Sequence, residues 1–544
     1  MFLVSLLLAP GVPTGVTAAG DDRVVVLPPL EVAAELQTNP WRYLAVPGIE
    51  VLSSCSESTT RAFIQAEYRV ERLFAALVPE EFQVQLAVPK VVILSEQKRT
   101  LSASQNLVAG FGGDSMNASA SEPKVQFMPN LRLNDPDAVV VFAMIDEERF
   151  RPDQLGLTAE YVRFILDRRT PPLPAWLVNG LSVLATRMTF SRDTITFTEA
   201  EWISPAETEA VRRATRQPPT LLTLCSLFEQ PRPTEAAAAQ LWRSQAALFI
   251  RWAFDGTDAR RAAFWKFVGR VNAAPAGEDV FVECFGRTYD EVFERLLAYL
   301  PSAVTSAVYF QPDNIPALPP YRLQLATDAE IARLKGDWER LEIAYVRAYF
   351  PQYAARYEEQ ATRTLARYAT AQPRDPRLLA VLGLHACDLG RDDEARPYLE
   401  AAVEAQVVRP RVYFELARIR YTTALTQPAG STGQLSSEQI NGSLHPLREA
   451  HRQSPPLPQT YALMANVWNH TGIRLGPAHF ALLDEALGRF PTQPNLLYQV
   501  AALKLLHGAN AEAAILIQRG LALSSHPTAR AGFEKLQMLL KSAR

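Results

Sequence analysis

Residues 379–402 read LAVLGLHACDLGRDDEARPYLEAA, and residues 497–520 read LYQVAALKLLHGANAEAAILIQRG. Laid in register, Leu379, Leu382, Gly383, Ala386, Gly390, Ala395, Leu399 and Ala402 fall on Leu497, Val500, Ala501, Lys504, Gly508, Ala513, Ile517 and Gly520. Apolar residues return with a helical period in both, and small residues stand where two antiparallel helices would touch. Pro410 and Pro527 close the two units. Strand signals are missing from 326 to 544, so this region reads as helix pairs in series.

The spacing resembles the tetratricopeptide repeat (TPR), a helix pair of about 34 residues that stacks on its neighbours. Between the two units, Tyr413–Leu425 with Leu444–Ser454, and Tyr461–Trp468 with Ala478–Phe490, read as looser pairs. A Ser/Thr/Gly insertion, Gln427–Gln439, falls within the first of these. Glu330–Leu334, Gly336-Asp337 and Trp338–Tyr349 suggest a degenerate unit upstream, and Thr528–Leu540 a capping helix. The resemblance implies an all-α, TPR-like helical solenoid over 326–544 that binds a peptide or partner protein. First helices should bury Leu379, Leu382, Tyr413, Leu416, Tyr461, Met464, Leu497 and Val500. His385, Arg418, Arg420 and Lys504 are the candidates for lining a groove, and their charge would favour an acidic peptide. The plainer reading of each is a solvated face.

The whole chain has 544 residues, too many for one domain. It is 48% hydrophobic and 21% charged, enough to bury real cores. Lys plus Arg is 55 against 58 for Asp plus Glu, a net charge of −3 that excludes a globally basic nucleic-acid binder. All seven histidines lie at or beyond His385, so histidine-dependent catalysis is excluded from residues 1–384. The four cysteines, Cys55, Cys225, Cys284 and Cys387, form no CxxC pair, although Cys225 and Cys284 could join after export.

Phe2–Leu8 is an apolar run broken by Pro10, Gly11 and Pro13, with small residues after it. It reads as a secretory signal over 1–20, or else as a disordered N-terminus, and is too short to span a bilayer. No later stretch reaches membrane-spanning length, so the expected location is periplasmic or secreted. Pro28, Pro29 and Pro40 mark an extended leader, 21–40. Residues 41–305 then read as a β-rich lobe followed by helices, an α+β order. Ile49–Leu52, Val88–Leu94, Lys124–Met128 and Ala138–Met144 are the expected strands, with helices over Ser58–Leu77, Leu155–Arg168 and from Ala175. Most of the rest to Leu300 reads as helical. Pro301–Pro320, with prolines at 301, 312, 316, 319 and 320, reads as a linker, and the linker unit is set at 306–325.

Within that lobe, Leu157–Leu166 reads LTAEYVRFIL and, after a proline-rich loop, Leu173–Ser182 reads LPAWLVNGLS. The block resembles the core of the peptidase MA-like gluzincins, where a helix carrying H-E-x-x-H precedes P-x-W-L-x-E-G-L-A. Phe285–Glu294 (FGRTYDEVFE) resembles that family's closing helix. The resemblance implies a gluzincin-like metallopeptidase fold. In such a site two imidazoles one helical turn apart and a carboxylate hold zinc, and the motif Glu activates the bound water.

Carried over position by position, the first His falls on Ala159, the second on Arg163 and the third ligand on Asn179. Only the base remains, as Glu160. Alanine has no donor, arginine stays protonated and asparagine offers a weak neutral oxygen. No metal and no cofactor are therefore expected, and Glu160 and Asn179 should face each other across a cleft. Arg163 stands three residues after Glu160; it either forms a solvated pair with it or supplies the lost metal's charge. Gly110–Gly113 reads as a turn rather than a phosphate loop, Glu147-Glu148 as a solvated charged turn, and no G-x-S-x-G elbow is present.

These readings combine as an exported, non-catalytic pseudopeptidase joined to a TPR-like array that binds protein partners. The competing readings are a metallopeptidase or other hydrolase with a non-standard site, and a purely structural helical protein.

Overall fold

The computed structural model describes residues 40–83, 86–96, 131–167, 169–213, 220–273, 277–369, 375–427, 435–471, 475–524 and 526–542. The signal-like segment 1–20, leader residues 21–39, the expected strand Lys124–Met128 and the Gly110–Gly113 turn lie outside them.

Strands β1 (Arg42–Val46) and β2 (Ile49–Ser53) form a hairpin that turns at Gly48, where φ is 84°. Glycine adopts that left-handed conformation without a Cβ penalty. Helix α1 (Glu57–Leu77) begins at Ser56, whose side chain accepts from Thr59 N. Glu147 also secures this helix start: it accepts from Ser56 N at 2.7 Å and from the Thr59 hydroxyl at 3.0 Å. The turn read as solvated thus satisfies helix-end donors.

Strand β3 (Lys90–Glu96) runs parallel to β2, and β5 (Val139–Ile145) parallel to β3, with β4 (Leu131–Asn134) antiparallel at the edge. Helices α2 (Ala159–Asp167) and α3 (Ala175–Ala185) follow. A second hairpin, β6 (Met188–Ser191) and β7 (Thr194–Phe197), stands where the sequence read as helical. Helices α4 (Pro205–Arg212), α5 (Leu224–Phe228), α6 (Ala236–Phe254), α7 (Asp258–Ala273), α8 (Glu278–Phe285) and α9 (Tyr289–Ala303) complete the lobe.

The expected linker, 306–325, is built into the sheets. Strand β8 (Val308–Phe310) pairs with β7, and β9 (Gln324–Leu325) pairs with β1 to complete the order β4-β5-β3-β2-β1-β9. Pro312, Pro316, Pro319 and Pro320 fall between these two strands, so they cost no ladder hydrogen bond.

The run Val91–Leu94 is buried, as in a parallel sheet covered on both faces. One face packs on Phe63, Tyr68, Val70, Leu73 and Phe74 of α1. The other packs on Leu334, Trp338 and Leu341 of helix α10 (Asp328–Tyr349), against Leu52, Val91, Ile93, Leu133 and Val140. The first helix of the C-terminal region is therefore the outer layer of the N-terminal sheet.

The remaining helices come in succession: α11 (Ala354–Ala369), α12 (Pro376–Asp388), α13 (Asp392–Glu404), α14 (Pro410–Thr426), α15 (Ser437–Arg452), α16 (Pro458–Asn469), α17 (Pro477–Arg489), α18 (Pro494–Leu506), α19 (Asn510–Leu523) and α20 (Pro527–Ser542). α12, α14, α16 and α18 each start with proline, whose missing N–H is no loss in a first turn. The expected core residues Leu379, Leu382, Tyr413, Leu416, Tyr461, Met464, Leu497 and Val500 are all buried. Gly383 marks the closest approach of α12 to α13: a Cβ there would stand 2.6 Å from Leu399 Cδ2. α16 packs more on α18 than on its expected partner α17. No helix among the described residues is long and apolar enough to cross a membrane.

Candidate functional site

Helix α2 is held by a buried charge cluster beneath it. Lys90 of β3 bonds Glu67 and, at 2.6 Å, Glu71 of α1, and its Nζ lies 4.0 Å from the Tyr161 ring centroid. Thr158 precedes the helix, and its hydroxyl accepts from Tyr161 N at 3.2 Å. Tyr161, Val162, Phe164 and Leu166 are buried, which leaves Glu160 and Arg163 exposed. α3 packs tightly on α6 at Gly180, where a Cβ would meet the Ala246 backbone at 2.9 Å. Trp176 sits among Phe228, Phe249, Phe264 and Phe267.

These helices enclose a cavity of 340 Å³. Ala159 and Arg163 line it from α2, Ser182 and Val183 from α3, and Gln240, Arg243, Ser244 and Arg251 from α6. The structure thus brings Ala159 and Arg163 together at one site. Glu160 and Asn179, expected to face each other across a cleft, are not among its lining residues. The reason is local: Glu160 projects to solvent from the first turn, and buried Asn179 turns its amide back to donate to Ala175 O at 2.8 Å. Asn179 Oδ1 is buried with no partner among the described residues. Glu160 and Arg163 form no pair there either.

The resemblance calls for zinc at this place. Ala159 has no donor atom, Arg163 brings a fixed positive charge, and Asn179 lies outside the cavity lining. That set does not fit the metal. Among the described residues, no group of three His, Cys, Asp or Glu side chains is placed to hold an ion. Cys225 and Cys284 are free thiols.

The candidate groove cations are all engaged within the fold. Arg418 bonds Asp392 at 2.7 and 2.9 Å and Glu415 at 2.6 Å. Arg420 bonds Glu400 at 3.0 Å. Lys504 is buried and bonds Asp484 at 2.7 Å as well as Glu512. His385 is buried against Thr362, with 2.9 Å between Nε2 and Oγ1. Burial, then the nearby Arg340 charge, lower its pKa to about 4, so it is neutral at physiological pH. Neutralised in this way, the four do not make a row of free positive charge.

What sequence reasoning missed is a charged seam between the sheet and the array. Glu50 of β2 takes a bidentate bond from Arg333 at 2.8 and 3.0 Å, plus Arg377 at 2.8 Å. The β4–β5 turn places Asp135 against Arg340, Arg409 (2.9 Å) and Arg411. Asp137 accepts from Arg411 N at 2.7 Å. No side chain at Arg409, the residue before α14, caps that helix, so a carboxylate of the other lobe satisfies its orphan N–H. No short-range signal could have found these contacts, whose partners lie hundreds of positions apart.

No protein-family model matches the chain, and no curated protein matches it. Among solved structures, it is similar to a thermophilic TPR protein of Thermus thermophilus, at 20% identity over 36% of this chain and 97% of the other, with a TM-score of 0.27. MamA gives 14% identity, 32% and 92% coverage and a TM-score of 0.26. An assembly chaperone of RpL4 gives 18%, 40%, 85% and 0.27. At such scores the likeness decides nothing about function, and the helix pairing rests on this chain's own geometry.

Proposed function

We propose that the chain is an exported, non-catalytic binding protein: a pseudopeptidase lobe fused to a TPR-like array that holds a protein or peptide partner. The observation that carries this reading is the composition of the α2–α3–α6 cavity. Of the three positions where the resemblance needs zinc ligands, Ala159 and Arg163 line the cavity and Asn179 does not, and the lone inherited base, Glu160, is exposed and outside the lining. A carboxylate with no metal and no neighbouring histidine has neither an activated water nor an electrophile. The array supports partner binding because stacked helix pairs present an extended surface whose core is already filled. The engaged state of Arg418, Arg420 and Lys504 gives an acidic partner no advantage at those positions. Export rests on the apolar run Phe2–Leu8.

Crosslinking of the full chain in its exporting host, read by mass spectrometry, tests the division of labour. Reproducible crosslinks from α12–α19 to one other protein are expected. Crosslinks confined to 41–305 would overturn the array's role. Recovery of the chain only from the cytosolic fraction would overturn export.

A further inference from the structure

The cavity beside α2 has a charge pattern that a merely vestigial site would not need. Four arginines, Arg163, Arg187, Arg243 and Arg251, line it against one carboxylate, Glu201. Two of the four are engaged. Arg187 pairs with Glu201, and Arg251 donates to the carbonyls of Phe197 (3.1 Å), Thr198 (2.6 Å) and Ser306. The Arg163 and Arg243 side chains make no hydrogen bond or ion pair with any described residue. They come from different helices, α2 and α6, yet line the same space. Arg163 is exposed and Arg243 half-buried, so neither charge is neutralised by the fold, and a shared anion could accept forked hydrogen bonds from both.

The rest of the lining selects among anions. Ser244 supplies a neutral hydroxyl, whereas Ser182, Thr186 and Gln240 already donate to the carbonyls of Val178, Val183 and Ile203; Val183, Phe197, Trp202, Ile203 and Leu248 supply an apolar wall. A bare inorganic anion would leave that wall facing water. At 340 Å³ the cavity lies at the small end of ligand pockets, which run from about 300 to 1,000 Å³.

We propose that this cavity binds an organic carboxylate, its anionic end held by Arg163 and Arg243 and its apolar body by the Phe197–Ile203 side. A free small acid and the C-terminus of a peptide share this chemistry. The proposal rests on the non-catalytic reading only in that binding occurs without turnover.

The test is calorimetry on the full-length chain with three probes: N-acetylphenylalanine, its C-terminal amide, and inorganic phosphate. A short peptide ending in phenylalanine serves as a fourth arm, to separate a free acid from a chain terminus. Saturable binding of N-acetylphenylalanine or of the peptide is expected. The amide should bind at least about ten-fold more weakly, the loss expected for one charge-assisted contact. Arg163→Ala and Arg243→Ala should each cause a similar loss, while Arg530→Ala, at an exposed position on α20, should not. Equal binding of acid and amide, retention by both cavity variants, or binding of phosphate alone would overturn the proposal. Zinc bound at one equivalent would instead overturn the non-catalytic reading and leave the carboxylate result to stand or fall separately.

Discussion

Asp135 carries more of the structure than its place in a short turn suggests. Burial raises its pKa, but Arg340, Arg411 and Arg409 outweigh this and hold it ionised well below the usual carboxylate range. Removing one partner from such a cluster strands buried charge, so Asp135→Ala should cost about 3–5 kcal/mol, read by urea denaturation. Asp137→Ala removes the borrowed cap of α14 and should cost about 1–2 kcal/mol in the same assay. Glu342 gives a pH signature. Burial, then the Glu339 carboxylate, raise its pKa to about 8. The native chain therefore keeps a proton that the unfolded chain releases near 4.5, and stability should fall as pH rises from there to about 8. Glu342→Gln should flatten that fall and gain about 1 kcal/mol at pH 8, discounted for the residue's partial exposure. Little of this was legible in the sequence. Ala159, Arg163 and Asn179 were singled out by the spacing of a motif, and of the three only Ala159 and Arg163 line the cavity. The pairing of Arg418 with Glu415 was within reach of an i, i+3 reading; that of Lys504 with Asp484 was not, being set by how two helices pack.

Helices α12, α13, α18 and α19 were read within a few residues because their signals are local: period, small contact residues and terminal prolines. Gly383 tests that packing. Gly383→Val would drive a branched side chain into Leu399 and should cost about 1–3 kcal/mol by overpacking, measured as a fall in the thermal midpoint. The elements missed were strands of two to five residues. β6 and β7 alternate plainly, with Met188, Phe190, Ile195 and Phe197 buried, but four residues hold barely one period of alternation. β8 and β9 lack even that, since their partners, β7 and β1, lie far back along the chain. Backbone pairing there is decided by tertiary placement rather than by the residues themselves.

Across the whole molecule the division into lobe and array is one of sequence pattern and not of folding unit. α10 covers the sheet, and the Asp135, Asp137 and Glu50 contacts tie the starts of α12 and α14 to that lobe. The full chain should therefore unfold with 41–305 and the first helix pairs in a single transition. A fragment beginning at 326 would expose Leu334, Trp338 and Leu341 and should aggregate or lose helicity, as followed by circular dichroism. Seams of this kind are invisible to a residue-by-residue reading because they join positions with no sequence relation. The account as a whole turns on the α2–α3 helix pair being a binding site that has no metal chemistry. Its most direct test is elemental analysis of the purified full-length chain after incubation with zinc and desalting, paired with a general peptidase assay. Zinc well below one equivalent, with no activity sensitive to chelation, is the predicted result. One equivalent of zinc, lost together with peptidase activity on chelation, would contradict it.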